Sequence, residues 1–353
     1  MIIPRLTADP STDVPTLISQ VRHWSLLGTI AIANVEPASV STWESVIELV
    51  GGSVDMILEL TQPNNEDGLK LLNAGASSIL CDPSSRALLD AVPDDCVVHG
   101  REDDDSDAAI VPGTLVWTRI PRSQRLAELE MVRIDCLVDS QQLDAEPQLM
   151  LDFFAQVLVT DRPDGLWPTV IVDPLGLALG LAYSNAESLL DALTHRRGTY
   201  WSRSRDDLWI KGATSGATQQ LLEVRIDCDR DCLRFMVTQD PPGFCHRNTH
   251  SCFGAERTIE SVIVRLEERL ASTDEKSFTR MLMNDPVLLQ KKLLEEAREL
   301  AEASTPDHVA FEAADVLYFS LVKMLSAGVT LEQVHQELAR RMNRVVRRKN
   351  KVV

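Results

Sequence analysis

The hydrophobic period of this chain changes twice along its 353 residues, and each change demands a different way of burying an apolar face. Between residues 28 and 100, two patterns alternate. GTIAIANV (28–35), DMILEL (55–60), SSILCD (77–82) and DCVVHG (95–100) read as short buried strands. VSTWESVIELV (40–50), EDGLKLLNAG (66–75) and SRALLDAV (85–92) read as amphipathic helices between them. Strands that alternate with helices predict βα units and a parallel sheet. Mixed sequence follows to residue 158. Residues 159–255 then turn to strands: Val170–Val172, Leu177–Tyr183, and LLEVRIDCDRDCLRFMV (221–237), which is broken near its middle. From 260 to 346 only helical periodicity remains. Asp285 and Pro286 open a helix that runs through LLQKKLLEEARELAEA. VAFEAADVLYFSLVKML makes a second helix, and Thr330 with Gln333 forms a capping box for a third. The expected architecture is multidomain: an α/β domain of βα units (1–158), an α+β domain (159–258) and an all-α domain (259–353).

Charge and cysteine usage narrow the function classes. With 35 Lys+Arg against 53 Asp+Glu, the net charge is −18, which argues against nucleic acid as a partner. No run of 18 apolar residues occurs, so no membrane span is expected, and the start MIIPRLTADPSTDVP has no apolar secretory core. A cytoplasmic location is expected, where the seven cysteines stay reduced. Cys81, Cys96 and Cys136 then read as small buried apolar residues. The first domain carries neither GxGxxG nor GxxxxGK[ST]. The acidic run Glu102–Asp107 reads as a solvated loop. Arg340–Lys351, with seven positive charges and no negative one, reads as a helix end and a tail.

Chemistry concentrates in two places. In DCDRD, strand alternation would place Asp227, Asp229 and Asp231 on one face and Cys228 on the other. A straight strand separates Asp227 from Asp231 by roughly 13 Å, so one ion could bind all three only if the chain bends there. Three such carboxylates suit Mg²⁺; a solvated acidic turn is the alternative. Cys228, Cys232, Cys245 and Cys252 follow within 25 residues, with His246 and His250 among them, a donor set that suits Zn²⁺. Spacing alone leaves open which cysteines would bind. Further on, Glu296 and Glu299 are three apart on one helix, and Glu312 and Asp315 repeat that spacing on the next. Glu295 adds a fifth carboxylate. Packed face to face, the two helices would make a carboxylate cage for Mg²⁺; left apart, they are two solvated faces.

WSRSRDDLWIKGATSG, DCDRD and FCHRNTHSCF, in that order, resemble phosphoribosyl-AMP cyclohydrolase over Asp161–Phe253. The resemblance implies zinc on Cys228, Cys245 and Cys252, magnesium on Asp227, Asp229 and Asp231, and hydrolytic opening of the adenine ring between N1 and C6. Cys232 and His250 match no ligand position and are expected to be structural. His246 is the candidate for proton transfer, with a natural pKa near the working range. Arg203, Arg205 and Lys211 are the candidates for the substrate phosphates, helped by Thr214, Ser215 and Gly216. Ala213 and Ala217 depart from the family's Lys-Gly-Glu-Thr-Ser-Gly-His, which puts the cyclohydrolase proton chemistry in question.

SFTRML, QKKLLEEARELAEA and FEAADVLYFSLVKML are similar to phosphoribosyl-ATP pyrophosphohydrolase over Ile259–Arg347. Members hold Mg²⁺ on ExxE and ExxD acids, which here are Glu295, Glu296, Glu299, Glu312 and Asp315. Glu296 and Glu299 are the catalytic candidates, and Lys291 and Lys292 are candidates for reaching the phosphates or, alternatively, for pairing with Glu295 or Glu296. Residues 1–158 look like the N-terminal region of fungal multifunctional histidine-biosynthesis chains, without a catalytic motif. The resulting expectation is a homodimeric bifunctional enzyme that converts phosphoribosyl-ATP to phosphoribosyl-AMP and opens its ring. Two rival readings stand beside it: a general nucleotide pyrophosphohydrolase with a decayed cyclohydrolase, and a non-catalytic zinc-stabilised nucleotide-binding scaffold.

Overall fold

The computed structural model describes residues 2–7, 11–50, 52–81, 83–102, 114–118, 126, 136–145, 147–254, 258–271 and 277–342. The predicted acidic loop after Glu102 and the basic tail after Met342 lie outside the described residues. The chain divides into two compact units, Met1–Phe253 with Gln336–Val353, and Gly254–His335.

The first unit begins with seven parallel strands: β1 (Ile2–Thr7), β2 (Thr29–Val35), β3 (Asp55–Leu60), β4 (Ser78–Cys81), β5 (Val97–Glu102), β6 (Thr114–Thr118) and β7 (Cys136–Asp139). They pair in chain order, and β1 closes on β7 with Ile3 opposite Leu137. The predicted parallel sheet is therefore a closed barrel. Parallel strands must be covered on both faces, and closure also removes the two unpaired edges. Ile3, Ala31, Ile57, Leu80, Leu115 and Leu137 fill its interior, one from each of six strands, with Val98 of β5 beside them. Helices α1 (Val14–Trp24), α2 (Val40–Val50) and α3 (Asn65–Ala74) make crossovers. Asn64 caps α3 by accepting the Asp67 N–H at 2.9 Å, and Gly75 ends it at φ 126°. The helix predicted at 85–92 is instead a short 3₁₀ helix, Pro83–Leu89. Arg86 reaches forward and donates to the carbonyls of Leu89 and Val92, tying down the end of the segment, and Pro93 bars its continuation as a helix. Two residues along from the interior layer, Arg5 is 7% exposed and paired with Glu59 (2.8 Å) and Asp139 (3.1 Å). This buried cation is satisfied by its own barrel.

Helices α4 (Ser140–Ala145) and α5 (Pro147–Val157) lead to a mixed sheet. Its strands are β8 (Trp167–Val172), β9 (Ala178–Ser184), β12 (Gln219–Ile226) and β13 (Leu233–Gln239), in the order β12-β13-β8-β9. Helix α6 (Ala186–His195) and the hairpin of β10 (Thr199–Ser202) and β11 (Asp207–Ile210) complete this part. One apolar cluster runs without interruption from Ile2 in the barrel to Phe244 beyond β13. The topology changes near residue 158, but the core does not break there.

The second unit is helical: α7 (Ile259–Ala271), α8 (Phe278–Asn284), α9 (Pro286–Glu302), α10 (Pro306–Ser326) and the start of α11 (Leu331–Met342). Leu266, Leu282, Leu289, Phe319, Leu321 and Val322 form its core. The expected caps are present. Asp285 accepts the Leu288 N–H at 2.9 Å, and Thr330 and Gln333 exchange bonds of 2.9 and 3.2 Å.

Candidate functional site

The cysteine loop is built onto β9. Phe244 packs flat against this strand because Gly180 leaves room: a Cβ at Gly180 would lie 2.3 Å from the Phe244 ring. The loop closes on itself through Phe244 N–H to the His250 carbonyl (3.2 Å) and Cys245 N–H to that of Thr249 (3.1 Å). Gly243, at φ 128°, turns where a Cβ would meet the Thr249 carbonyl oxygen at 2.5 Å. The far end is zipped to β9 by Ser251 Oγ on the Ala178 carbonyl (2.8 Å) and Cys252 N–H on that of Leu179 (2.8 Å). This geometry sets Cys245 against Cys252. Backbone N–H donation from Arg247, then the Thr249 side chain and the Cys252 thiol, hold the Cys245 thiol below its ordinary pKa. Burial, followed by the neighbouring Cys245, pushes Cys252 up. Two adjoining thiols, one of them eased towards its ionised form, are a donor pair for a soft or borderline metal.

The other residues singled out in the sequence fall into place around this pair, or apart from it. His246 is exposed, with Nδ1 3.9 Å from Cys245 Sγ. His250, expected to be structural, bonds Asp173 at 3.2 Å, and Asp173 is held by the N–H groups of Leu175 and Leu177. Cys228 is exposed beside Asp229, and the three thiols Cys228, Cys245 and Cys252 do not form one cluster within the chain.

Lys211 differs from an open phosphate-binding cation. It is 7% exposed and donates to the Ala217 carbonyl at 3.0 Å. Burial lowers its pKa, and the nearby Cys252 opposes that shift. Lys211 thus supports the thiol pair from below. Arg203 and Arg205 stand exposed in the β10–β11 turn, Arg203 stacked on Tyr183 at 3.9 Å. Thr214, Ser215 and Gly216 form an exposed loop. Gly212 opens that loop at φ 83°, where a Cβ would meet the backbone of Ala217 at 2.5 Å.

The aspartates gather for a reason strand alternation did not give. β12 ends at Ile226, and residues 227–232 turn sharply with Arg230 at φ 68°. Asp227 Oδ1 accepts the N–H groups of Asp231 and Cys232, each at 3.0 Å, and this fixes the turn. The bend brings oxygens of Asp227, Asp229 and Asp231 within 4.8 Å of one another. Asp229 foremost, then partial burial and Asp227, raise the Asp231 pKa. That is mutual repulsion which a cation would relieve.

In the helical unit a three-residue connection folds α10 back on α9, and Glu296, Glu299 and Glu312 bring oxygens within 4.8 Å. Glu296 is 8% exposed and Glu312 4%. Glu312 Oε1 lies 3.0 Å from His308 Nε2, while its Oε2 is buried without a partner. An orphaned carboxylate oxygen facing two other carboxylates is a donor set for a hard cation. Asp315 and Glu295 stand outside this cluster. Glu295 is exposed and pairs with Lys292 at 3.1 Å; Lys292 also reaches Glu296 at 3.5 Å, and Lys291 is exposed. His308 was missed in the sequence, although it lies four residues before Glu312 on the same helix face.

Comparison with known proteins divides the chain in the same way. Residues 180–254 match the phosphoribosyl-AMP cyclohydrolase family, and residues 260–342 match the phosphoribosyl-ATP pyrophosphohydrolase family. A histidine biosynthesis bifunctional protein of Prochlorococcus marinus is 37% identical over 194 residues, 48% of this chain and 87% of that protein. A histidine biosynthesis trifunctional protein of Saccharomyces bayanus is 36% identical over 299 residues, 83% of this chain, so that match reaches beyond residues 180–342. A bifunctional relative from Schizosaccharomyces pombe is 44% identical over 190 residues, 54% of this chain. The aligned part spans 36% of the Saccharomyces bayanus protein and 45% of the Schizosaccharomyces pombe protein.

Proposed function

Since this chain belongs to the family of histidine-biosynthesis proteins that join a phosphoribosyl-AMP cyclohydrolase to a phosphoribosyl-ATP pyrophosphohydrolase, we propose that it carries out both hydrolyses. The helical unit would cleave phosphoribosyl-ATP to phosphoribosyl-AMP and pyrophosphate. The cysteine site would then open the adenine ring of the product. The observation that carries this reading is the pairing of two donor sets on one chain, each inside its matching family segment: the Cys245–Cys252 thiols and the Glu296–Glu299–Glu312 carboxylates.

The donor chemistry fits the metals expected from the resemblance. We assign zinc to Cys228, Cys245 and Cys252, where it would supply the Lewis acidity that lets water attack near neutral pH. Within one chain Cys228 stands with the aspartates, so a second copy is what would complete the set, in keeping with a homodimer. Apolar side chains left exposed on the helical unit, Leu294 (64%) and Phe311 (66%) among them, favour the same assembly. We assign magnesium to Asp227, Asp229 and Asp231 and to the glutamate cluster, where it would neutralise phosphate charge.

The chain's own groups do the rest. His246, exposed and adjoining Cys245, is placed to take a proton from the water that attacks C6 and return it to N1 as the N1–C6 bond breaks. Arg203, Arg205 and the 214–216 loop offer donors to a phosphate. Lys211 lies near Cys252 and opposes the burial that pushes that thiol's pKa up. Glu296 and Glu299 position the helical unit's cation, and His308 fixes the rotamer of Glu312. The seven cysteines suit a cytoplasmic setting, where thiols stay reduced.

The test supplies phosphoribosyl-ATP to the full chain and follows both pyrophosphate and ring-opened product. Both should form. Glu296→Gln should stop pyrophosphate release and leave ring opening of supplied phosphoribosyl-AMP intact, and Cys245→Ser should do the reverse. Pyrophosphate without ring opening would point to a decayed cyclohydrolase, for which Ala213 and Ala217, standing where family members carry glutamate and histidine, are the motive. Bound zinc with neither product would indicate a scaffold.

A further inference from the structure

A cavity of about 180 Å³ lies away from both sites, where α1 and the turn after it meet α4, α5 and the end of α6. It sits at the seam between the barrel and the mixed sheet, a usual location for small-molecule sites. Its walls are apolar: Trp24, Leu27, Leu143, Met150 and Leu193 line it. A cavity of roughly 150 Å³ suffices for a benzene ring, so this one admits a branched or aromatic side chain.

The polar groups on its wall narrow the ligand. Arg196 closes α6 in a left-handed conformation (φ 53°), and its carbonyl accepts the Leu221 N–H at 2.9 Å. The backbone is thereby pinned and the side chain directed to the cavity. The next residue, Arg197, is paired with Asp191 at 3.0 and 2.9 Å. Arg196 has no such partner: among the described residues no carboxylate lies within 4.0 Å of its guanidinium. Burial lowers its pKa, and Asp144, also on the cavity wall, partly restores it. Asp144 is therefore close enough to interact and too far to form a salt bridge. A cation and an anion at that separation over an apolar hole leave one gap on each side for the opposite charge. His23, stacked edge-on against Trp24 at 5.0 Å, borders the same space. Burial, then Arg196, depresses its pKa, and Asp144 opposes that shift.

We propose that this cavity binds a free α-amino acid with a branched or aromatic side chain: carboxylate on Arg196, ammonium on Asp144, side chain among Trp24, Leu143, Met150 and Leu193. An acid without the amine leaves Asp144 unpaired and repelled; an amine without the acid does the same to Arg196. The cavity shares no residue with the cysteine, aspartate or glutamate sites, so its ligand is independent of theirs.

The test is calorimetric titration of the full chain with L-leucine and L-phenylalanine, with 3-phenylpropionate and phenethylamine as the two single-charge analogues. For a ligand of about a dozen non-hydrogen atoms the expected Kd is on the order of 0.1–1 mM. Each analogue should bind at least tenfold more weakly than phenylalanine. Arg196→Gln should weaken phenylalanine tenfold or more. Asp144→Asn, at an exposed position where folding is not at risk, should do the same with an unchanged melting curve in the absence of ligand. Absence of saturable binding by either amino acid would overturn the proposal. So would wild-type affinity in Asp144→Asn, or equal binding of phenylpropionate and phenylalanine, which would mark a site for anions alone.

Discussion

Replacing Glu312 by Gln should make the metal-free helical unit more stable and its cation response weaker, opposite signs from one substitution. Glu312 oxygens lie within 4.8 Å of those of Glu296 and Glu299; among the described residues, Lys292 lies 3.5 Å from Glu296 and His308 3.0 Å from Glu312. At 4.8 Å two unit charges repel by about 3.5 kcal/mol at an effective dielectric of ~20 and by about 0.9 kcal/mol in water. Glu296 and Glu312 are buried and lie towards the first figure; Glu299 is exposed and lies near the second. Gln has the same shape, still accepts from His308, and turns an amide N–H toward the remaining carboxylates. A net relief of about 1–3 kcal/mol follows, and for a unit of this size that raises the melting temperature by roughly 5–20 °C. Wild-type protein should gain about 2.7 kcal/mol when Mg²⁺ is present at 100 times its Kd, and the variant should gain much less. Calorimetric melting with EDTA and with Mg²⁺ reads both effects. A metal-free variant that melts below wild type would refute the repulsion, and equal Mg²⁺ gains in both proteins would refute the cage.

His308→Ala should reduce Mn²⁺ affinity 10- to 100-fold, read by paramagnetic resonance titration, because Glu312 loses the bond that orients it. His246→Ala should slow ring opening by roughly 10²–10⁴-fold at unchanged zinc content; wild-type turnover would remove His246 from proton transfer. Gly180→Ala should displace Phe244 and with it the cysteine loop, costing about 1–3 kcal/mol and lowering zinc content by metal analysis. Asp191 is held below its ordinary pKa of 3.8: burial opposes this, but bonds from Arg197 and Thr199 outweigh it. Its contribution is therefore complete above pH 3.8 and fades as pH falls through the lower folded value. Urea unfolding should separate wild type from Asp191→Asn fully at pH 6, and the gap should narrow below pH 3.8.

Much of this protein is written in local sequence, because local rules act over a few residues. The 40–50 helix, the caps at Asp285 and at Thr330 with Gln333, and the change from βα units to strands to helices follow from side-chain period and from which groups can satisfy a helix end. The motifs around Cys245 and Glu296 likewise identified the two families, since the chemistry requires those residue types at those spacings. Other features needed the fold. Barrel closure depends on β1 finding β7 across more than a hundred residues, and no local period encodes a pairing at that distance. The aspartates converge because Asp227 bonds the amides of its own turn, whereas alternation carried past Ile226 held them apart. Lys211 carries the same charge as Arg203, yet only packing decides that one lies beneath the thiols and the other in water. Asp315 stands to Glu312 as Glu299 stands to Glu296, and Glu295 adjoins Glu296, but which carboxylates meet is set by how α9 and α10 rotate against one another. That rotation is fixed by Leu289, Phe319 and Val322 in the core, because burying their apolar surface outweighs the repulsion of the acids it brings together.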